Sequence, residues 1–302
     1  MEFGRFEIKY QTDNDLKLPD YPGSTLRGAF GNAFKKIVCP FKNKECKECL
    51  LLKKCVYTYV FETPVPEGSK IMRKYEYVPH PFIIEPPLHK EFKTELSFNF
   101  LLIGKAIEYL PYFIYTFEEM GLRGLGKARS KISLYSIIQK NRTIYDGRTK
   151  TLKDNIHKET LSFVQPRQKI ECIKLKFLTP TRIVYKGETL KNPEFEKIIP
   201  NLLRRIFLLS HFHCNKTLSI DFKGLLEKAR TIKTNLEFFK FQRWDRYSSR
   251  QKKEVPMEGF IGEVIYEGNL NPFYPYLKAG EILHIGKGTT FGMGKYILEL
   301  VS

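Results

Sequence analysis

No apolar run in this 302-residue sequence approaches the length of a membrane-spanning helix. The N-terminus, M-E-F-G-R-F-E-I, lacks the long apolar segment and small-residue cleavage site of a secretory signal, so a cytoplasmic protein is expected. There a disulfide framework is not expected, and the six cysteines need another role. No Walker loop, nucleotide fingerprint or Ser/His/Asp arrangement is present. No cluster of carboxylates marks a two-metal nuclease. Acidic residues are in deficit, 33 Asp+Glu against 51 Lys+Arg, for a formal net charge of +18. That excess points to a polyanionic partner, most simply nucleic acid; a merely basic surface is the alternative. Hydrophobic residues at 42% supply enough apolar surface for real cores, which excludes wholesale disorder.

The pattern along the chain repeats. Phe6, Ile8 and Tyr10 alternate with Glu7 and Lys9 as a half-buried strand. After Pro19, Pro22 and Gly23, Ser24 reads as the cap of a helix with Leu26, Phe30, Ala33, Phe34 and Ile37 on one stripe. Residues 39–92 are irregular and rich in proline and cysteine. A strand over Leu96–Leu102 and a helix over Lys105–Met120 follow, with Pro111 bending the helix or delaying its start. Next come the basic loop Gly121–Arg129, a strand over Ile132–Ile138 and an Asp146–Gly147 turn. A polar linker over Lys150–Lys169 precedes a second round. That round has a strand at Ile173–Phe177, helices at Glu194–His213 and Phe222–Ala229, a strand at Ile261–Tyr266 and a helical turn at Pro272–Leu277. The glycine loop Gly280–Lys295 and a closing strand, Tyr296–Val301, complete it. The fold class predicted is α+β: two tandem ferredoxin-like (βαββαβ, RRM-like) domains, at 1–160 and 161–302, the first with a cysteine-rich insert.

Three motifs carry chemistry. The loop holding Gly286, Lys287, Gly288, Thr289 and Thr290 reads either as a phosphate cradle or as a plain glycine turn. Lys127 and Arg129 sit in the matching loop of the first half. The run Lys240–Lys253 interleaves Phe241, Trp244 and Tyr247 with Arg246, Arg250 and other cations. Cations for phosphates plus aromatics for bases compose a single-strand RNA contact; a solvated loop around one tryptophan is the alternative. Cys39, Cys46, Cys49 and Cys55 fall within seventeen residues, a spacing that admits a structural zinc site or an iron–sulfur cluster, with free thiols or a disulfide as alternatives. The cluster option leaves a redox protein as a third functional reading.

The sequence resembles the CRISPR-associated repeat-processing endoribonucleases of the RAMP superfamily. The likeness is carried by L-P-D-Y-P-G-S-T-L-R-G-A-F (Leu18–Phe30), F-L-T-P-T-R-I (Phe177–Ile183) and L-L-R-R-I-F-L-L-S-H-F-H (Leu202–His213). R-Y-S-S-R-Q (Arg246–Gln251) and L-H-I-G-K-G-T-T-F-G-M-G-K-Y (Leu283–Tyr296) extend it. The resemblance implies cleavage of precursor CRISPR RNA without a catalytic metal, by attack of a 2′-hydroxyl on the adjacent phosphate. It implies a histidine for proton transfer and a lysine or tyrosine for phosphate charge. The family's histidine lies in or just after the first helix, whereas Tyr21–Val38 contains none. The catalytic candidates are therefore His284, His213 and His211, with Lys287 as charge stabiliser and His80, in Y-V-P-H-P-F, as a further histidine. Arg27, Lys127, Arg129, Trp244, Arg246, Tyr247, Arg250 and the glycine loop are the expected RNA contacts. CRISPR effector subunits are further expected partners, and a non-catalytic RNA-holding subunit of such a complex is the alternative function.

Overall fold

The computed structural model describes residues 1–12, 16–41, 45–88, 94–153, 156–248 and 253–301; at 236–237, 244–248 and 253–256 it describes the backbone alone. The chain forms two compact units. One is Met1–Thr160 with Phe212–Asn215, the other Leu161–His211 with Lys216–Ser302.

In the first unit the chain runs β1 (Glu2–Gln11), α1 (Gly23–Val38), β2 (Phe82–Glu85), β3 (Glu95–Ile103), α2 (Leu110–Arg123), β4 (Ser133–Gln139), β5 (Arg142–Asp146), β6 (Thr151–Leu152) and β7 (Glu159–Thr160). The sheet order is β2-β3-β1-β4-β5-β6, and β7 pairs with β1. The core strands are antiparallel in ferredoxin-like order. Alternation explains the burial: Phe6, Ile8 and Tyr10 have no exposed surface. Phe30 of α1 and Phe113 and Phe117 of α2 cover Phe100 of β3, and Phe34 of α1 packs on Phe113. Phe30–Phe100 and Phe34–Phe113 ring centroids are each 5.2 Å apart.

Several local expectations change. α1 begins at Gly23 after Pro22, without a side-chain cap from Ser24. Pro111 delays the second helix: it sits in the first turn of α2, where its missing N–H has no partner to lose, and Gly104–Tyr109 ahead of it is 3-10 helix. The polar linker contains β6 and β7.

The second unit repeats the plan with β8 (Cys172–Thr181), the small hairpin β9 (Val184–Tyr185) and β10 (Glu188–Thr189), α3 (Phe195–His213), α4 (Phe222–Ala229), β11 (Lys233–Ser248), β12 (Lys253–Glu267), α5 (Tyr274–Leu283) and β13 (Tyr296–Leu300). Its sheet order, β11-β12-β8-β13, is again ferredoxin-like. Phe195, Ile199, Leu202, Ile206 and Leu209 of α3 are buried, as their spacing requires. Two differences matter for the site. The run from Lys240 onward is not a solvated loop but the far half of β11, paired with β12 from Lys233↔Glu267 to Ser248↔Lys253. The Pro272–Leu277 turn is part of α5, so Gly280 is helical and the glycine loop starts at His284.

Candidate functional site

The glycine loop is a folded knot in the second unit. His284, just after α5, is left-handed (φ 57°), and Gly286, Gly288, Gly292 and Gly294 all have positive φ. Backbone proximity requires two of these glycines. A Cβ on Gly294 would stand 1.8 Å from the Ile285 carbonyl oxygen, and one on Gly286 would stand 2.3 Å from that of Arg182. The amides turn inward: Lys287 N donates to Arg182 O, Ile285 N to Gly294 O and Gly294 N to Pro180 O. Thr179 Oγ1 donates to Gly292 O and accepts from Lys295 N. Thr289 and Thr290 are buried. These glycines are thus explained by the loop's own close packing, with Lys287 exposed on it.

The histidines occupy different settings. His284 has no exposed surface, and its Nδ1 lies 3.0 Å from the Met293 carbonyl oxygen. It holds the loop from inside. Buried Arg205 braces the same corner by donating from Nε to the Leu283 carbonyl at the end of α5, where a cation complements the helix dipole. Burial pushes the Arg205 guanidinium down to about 9. His211 is half-buried, with Nδ1 3.1 Å from Thr217 Oγ1 and its ring stacked on Phe207. His213, buried in the first unit, sets Nε2 2.7 Å from the Pro79 carbonyl and Nδ1 3.3 Å from the Tyr59 hydroxyl. A carbonyl only accepts, so Nε2 carries the proton and Nδ1 accepts from Tyr59. Burial and the neighbouring Tyr109 raise the Tyr59 phenol, keeping that donor protonated.

The next residue after Pro79 is His80, whose Nε2 lies 3.5 Å from Arg27 Nη2 on α1. Its Nδ1 lies 2.8 Å from Thr63 Oγ1. Arg27 lies 4.3 Å above the Phe61 ring centre, and His80 stacks on that ring at 6.4 Å. Phe61 reaches α1 because Gly31 leaves a notch there. Phe61 lies in a π-helical turn, Thr58–Glu62, a rare form that recurs at functional positions. Composition could not reveal this grouping, since Arg27 and His80 stand 53 residues apart.

An open cleft of about 500 Å³ lies on the same unit, lined by Ala29, Asn32, Met120, Arg123, Gly124 and Arg129. Gly124, Gly126 and Arg129 are left-handed, and Leu125 and Ser130 exchange backbone hydrogen bonds to close the loop carrying exposed Lys127 and Arg129. Arg123, a lining residue the sequence reading missed, ion-pairs with Glu119 at 3.4 Å. Trp244, Arg246 and Tyr247 fall on β11, opposite Met257, Val255 and Glu254; Arg250 lies outside the described residues.

The zinc expectation finds no support among the described residues. Cys39, Cys46, Cys49 and Cys55 are free, half-buried thiols. Among the described residues no three or more His, Cys, Asp or Glu side chains are grouped to hold a metal. Cys39 Sγ donates to the Phe41 carbonyl, and burial raises the Cys46 thiol. The same arrangement gives an iron–sulfur cluster no support.

Two family models match the sequence: one described as an N-terminal domain, over residues 1–158, and the CRISPR-associated endoribonuclease Cas6, over residues 175–296. No curated protein matches it. Among solved structures, Thermus thermophilus Cas6 (TTHB231) shares 15% identity over 98% of each chain, with a TM-score of 0.56. Its product complex shares 16% over 98% of this chain and 99% of that one, with a TM-score of 0.62. A partial Cas6-RT-Cas1–Cas2 complex shares 12% over 99% of this chain and 46% of that one, with a TM-score of 0.58. At such identities the structural likeness establishes the fold. The fold is that of these structures, and the sequence of the second unit resembles a CRISPR-associated endoribonuclease. The endoribonuclease family is matched over residues 175–296, which is less than half of the chain.

Proposed function

We propose that this chain cuts precursor CRISPR RNA within its repeats, without a catalytic metal, to give mature guide RNAs. The RNA 2′-hydroxyl attacks the adjacent phosphorus, and the bond to the 5′-oxygen breaks. The products are a 2′,3′-cyclic phosphate and a 5′-hydroxyl. The match of residues 175–296 to the endoribonuclease model carries this reading. The charge excess and the arginine-lined cleft support a polyanionic substrate. In the first unit exposed Lys127 and Arg129 and half-buried Arg27 hold the backbone; in the second, exposed Lys287 and Arg246 on β11 do so. Trp244 and Tyr247 on β11 supply stacking surfaces.

The test is incubation of the purified protein with repeat RNA in EDTA. Cleavage leaving a cyclic phosphate supports the reading. Tight binding without cleavage, with or without added magnesium, refutes it in favour of a subunit that holds RNA.

A further inference from the structure

We propose that His80, delivered by the insert to the flank of α1, is the catalytic histidine, with Arg27 as its phosphate-binding neighbour. The inference rests on the endoribonuclease reading and adds the residue that carries the proton. The first helix has no histidine, yet the fold brings one to it. His80 is half-buried and so retains access to solvent, whereas His284 and His213 are enclosed and already directed at backbone carbonyls.

The geometry also fixes the tautomer. Thr63 Oγ1 donates its proton to the Val78 carbonyl at 3.0 Å, so toward His80 it accepts. Nδ1 therefore bears the ring proton, and Nε2 presents its lone pair toward Arg27. That second hydrogen bond orients the ring as an outer-shell partner does for a working histidine. Thr63 is itself left-handed at φ 47°, a strained position for a β-branched residue. The segment is pinned from the other side by His213 on the Pro79 carbonyl. The 3.5 Å separation between Arg27 and Nε2 is at the long limit of a hydrogen bond, and an incoming phosphate offers the guanidinium a charge-assisted partner.

In the reaction His80 Nε2 takes the 2′-hydroxyl proton as the 2′-oxygen bonds to phosphorus. The 5′-oxygen leaves with the electron pair of its bond to phosphorus and takes a proton from solvent water. The imidazolium returns its proton to solvent hydroxide, so charge and atoms balance. Arg27 offsets the charge that builds on the non-bridging oxygens. Phe61, Phe82 and Thr63 pack on the ring, and Arg27 faces it.

The test uses RNA carrying the repeat of the chain's own CRISPR array, with a 2′-deoxy analogue at the cut site for binding. His80→Ala should bind the analogue within about twofold of wild type and cleave about 10²- to 10⁴-fold more slowly in single turnover. Added imidazole should restore part of that rate. The wild-type rate should fall on the acid side as the histidine base is protonated, and that limb should vanish in the variant. The wild-type profile keeps the inference open to refutation even where the variant folds poorly. Wild-type cleavage with an unchanged rate in H80A, or with no acid limb, overturns the assignment alone. Wild-type binding without cleavage overturns the endoribonuclease reading and the assignment with it.

Discussion

Alanine at two glycines of α1 should act with opposite sign. Gly28 is exposed, and a Cβ there meets nothing within 4 Å. Gly28→Ala gains the ordinary helix-propensity difference, about 1 kcal/mol of stabilisation. Gly31 is buried three residues on, and its Cβ would stand 2.3 Å from Phe61 Cζ and 2.8 Å from Cε2. Gly31→Ala gains the same propensity. Against it stands overpacking of about 1–3 kcal/mol, because Phe61 must swing away. Loss of the Arg27 contact with the Phe61 ring adds about 0.5–1 kcal/mol. The losses exceed the gain, and the expected net effect is destabilisation of about 0.5–3 kcal/mol.

The decisive measurement is a double-mutant cycle by denaturant unfolding. With Phe61→Ala in place the obstacle is gone, and Gly31→Ala should stabilise by about 1 kcal/mol. The coupling between the two positions is then about 1.5–4 kcal/mol, well above the scatter of such cycles. If Gly31→Ala stabilises the otherwise unaltered chain as much as Gly28→Ala does, Phe61 does not fill the notch, and the support for His80 is lost with it.

Two further outcomes follow from single interactions. The Lys176 hydrogen bond, then Lys174, holds the Glu263 carboxyl below the usual carboxylate range, so the folded state binds its proton more weakly than the unfolded chain. That stabilisation is full above the unfolded value and fades as pH falls through the folded one. Melting temperature against pH should therefore drop less steeply on the acid side in Glu263→Gln, and an identical slope would refute the link. Dialysis against EDTA should leave the unfolding midpoint unchanged and release no stoichiometric zinc, since among the described residues no three or more metal-ligating side chains are grouped; one equivalent of zinc whose removal lowers the midpoint would restore the zinc reading of Cys39, Cys46, Cys49 and Cys55.

The fold was legible in the sequence because burial writes its period directly. Phe6, Ile8 and Tyr10 alternate because one face of β1 is wholly enclosed, and the α3 stripe recurs at helical spacing for the same reason. β11 was hidden where that rule lapses. β8 pairs with β12 over Phe260–Glu267, and beyond that stretch the described hairpin pairs with itself. Without a third strand to set an inner face, charges and aromatics need not alternate. The site was less legible. The glycines drew attention to His284, yet their positive φ values serve close backbone crossings that turn the histidine inward. Sequence spacing has no term for the approach of His80 to α1, which is a tertiary contact.

Bringing a histidine to a helix from 53 residues away has a calculable cost. Closing such a loop costs about 3.5 kcal/mol by the (3/2)RT ln n rule, apart from a constant. A histidine on the helix itself would cost nothing. Burial of Tyr57, Val60 and Val78 offsets this, each contributing about 1.5–3 kcal/mol. Backbone pairing fixes the register: Val78 N donates to Thr63 O and Val65 N to Glu76 O, and Pro64 bridges Tyr77. The tip beyond these bonds contributes little, because Glu67, Gly68, Lys70, Arg73, Lys74 and Tyr75 are exposed. Replacing residues 67–74 by a two-residue glycine turn should therefore keep both the fold and repeat cleavage within about threefold of wild type, since the loop-length term changes by only a fraction of a kcal/mol. Phe61→Ala, inside the paired region, should lower cleavage while leaving binding of the 2′-deoxy analogue. If the tip deletion abolishes cleavage in a protein that melts normally, the insert acts through its tip, and His80 is not what it delivers.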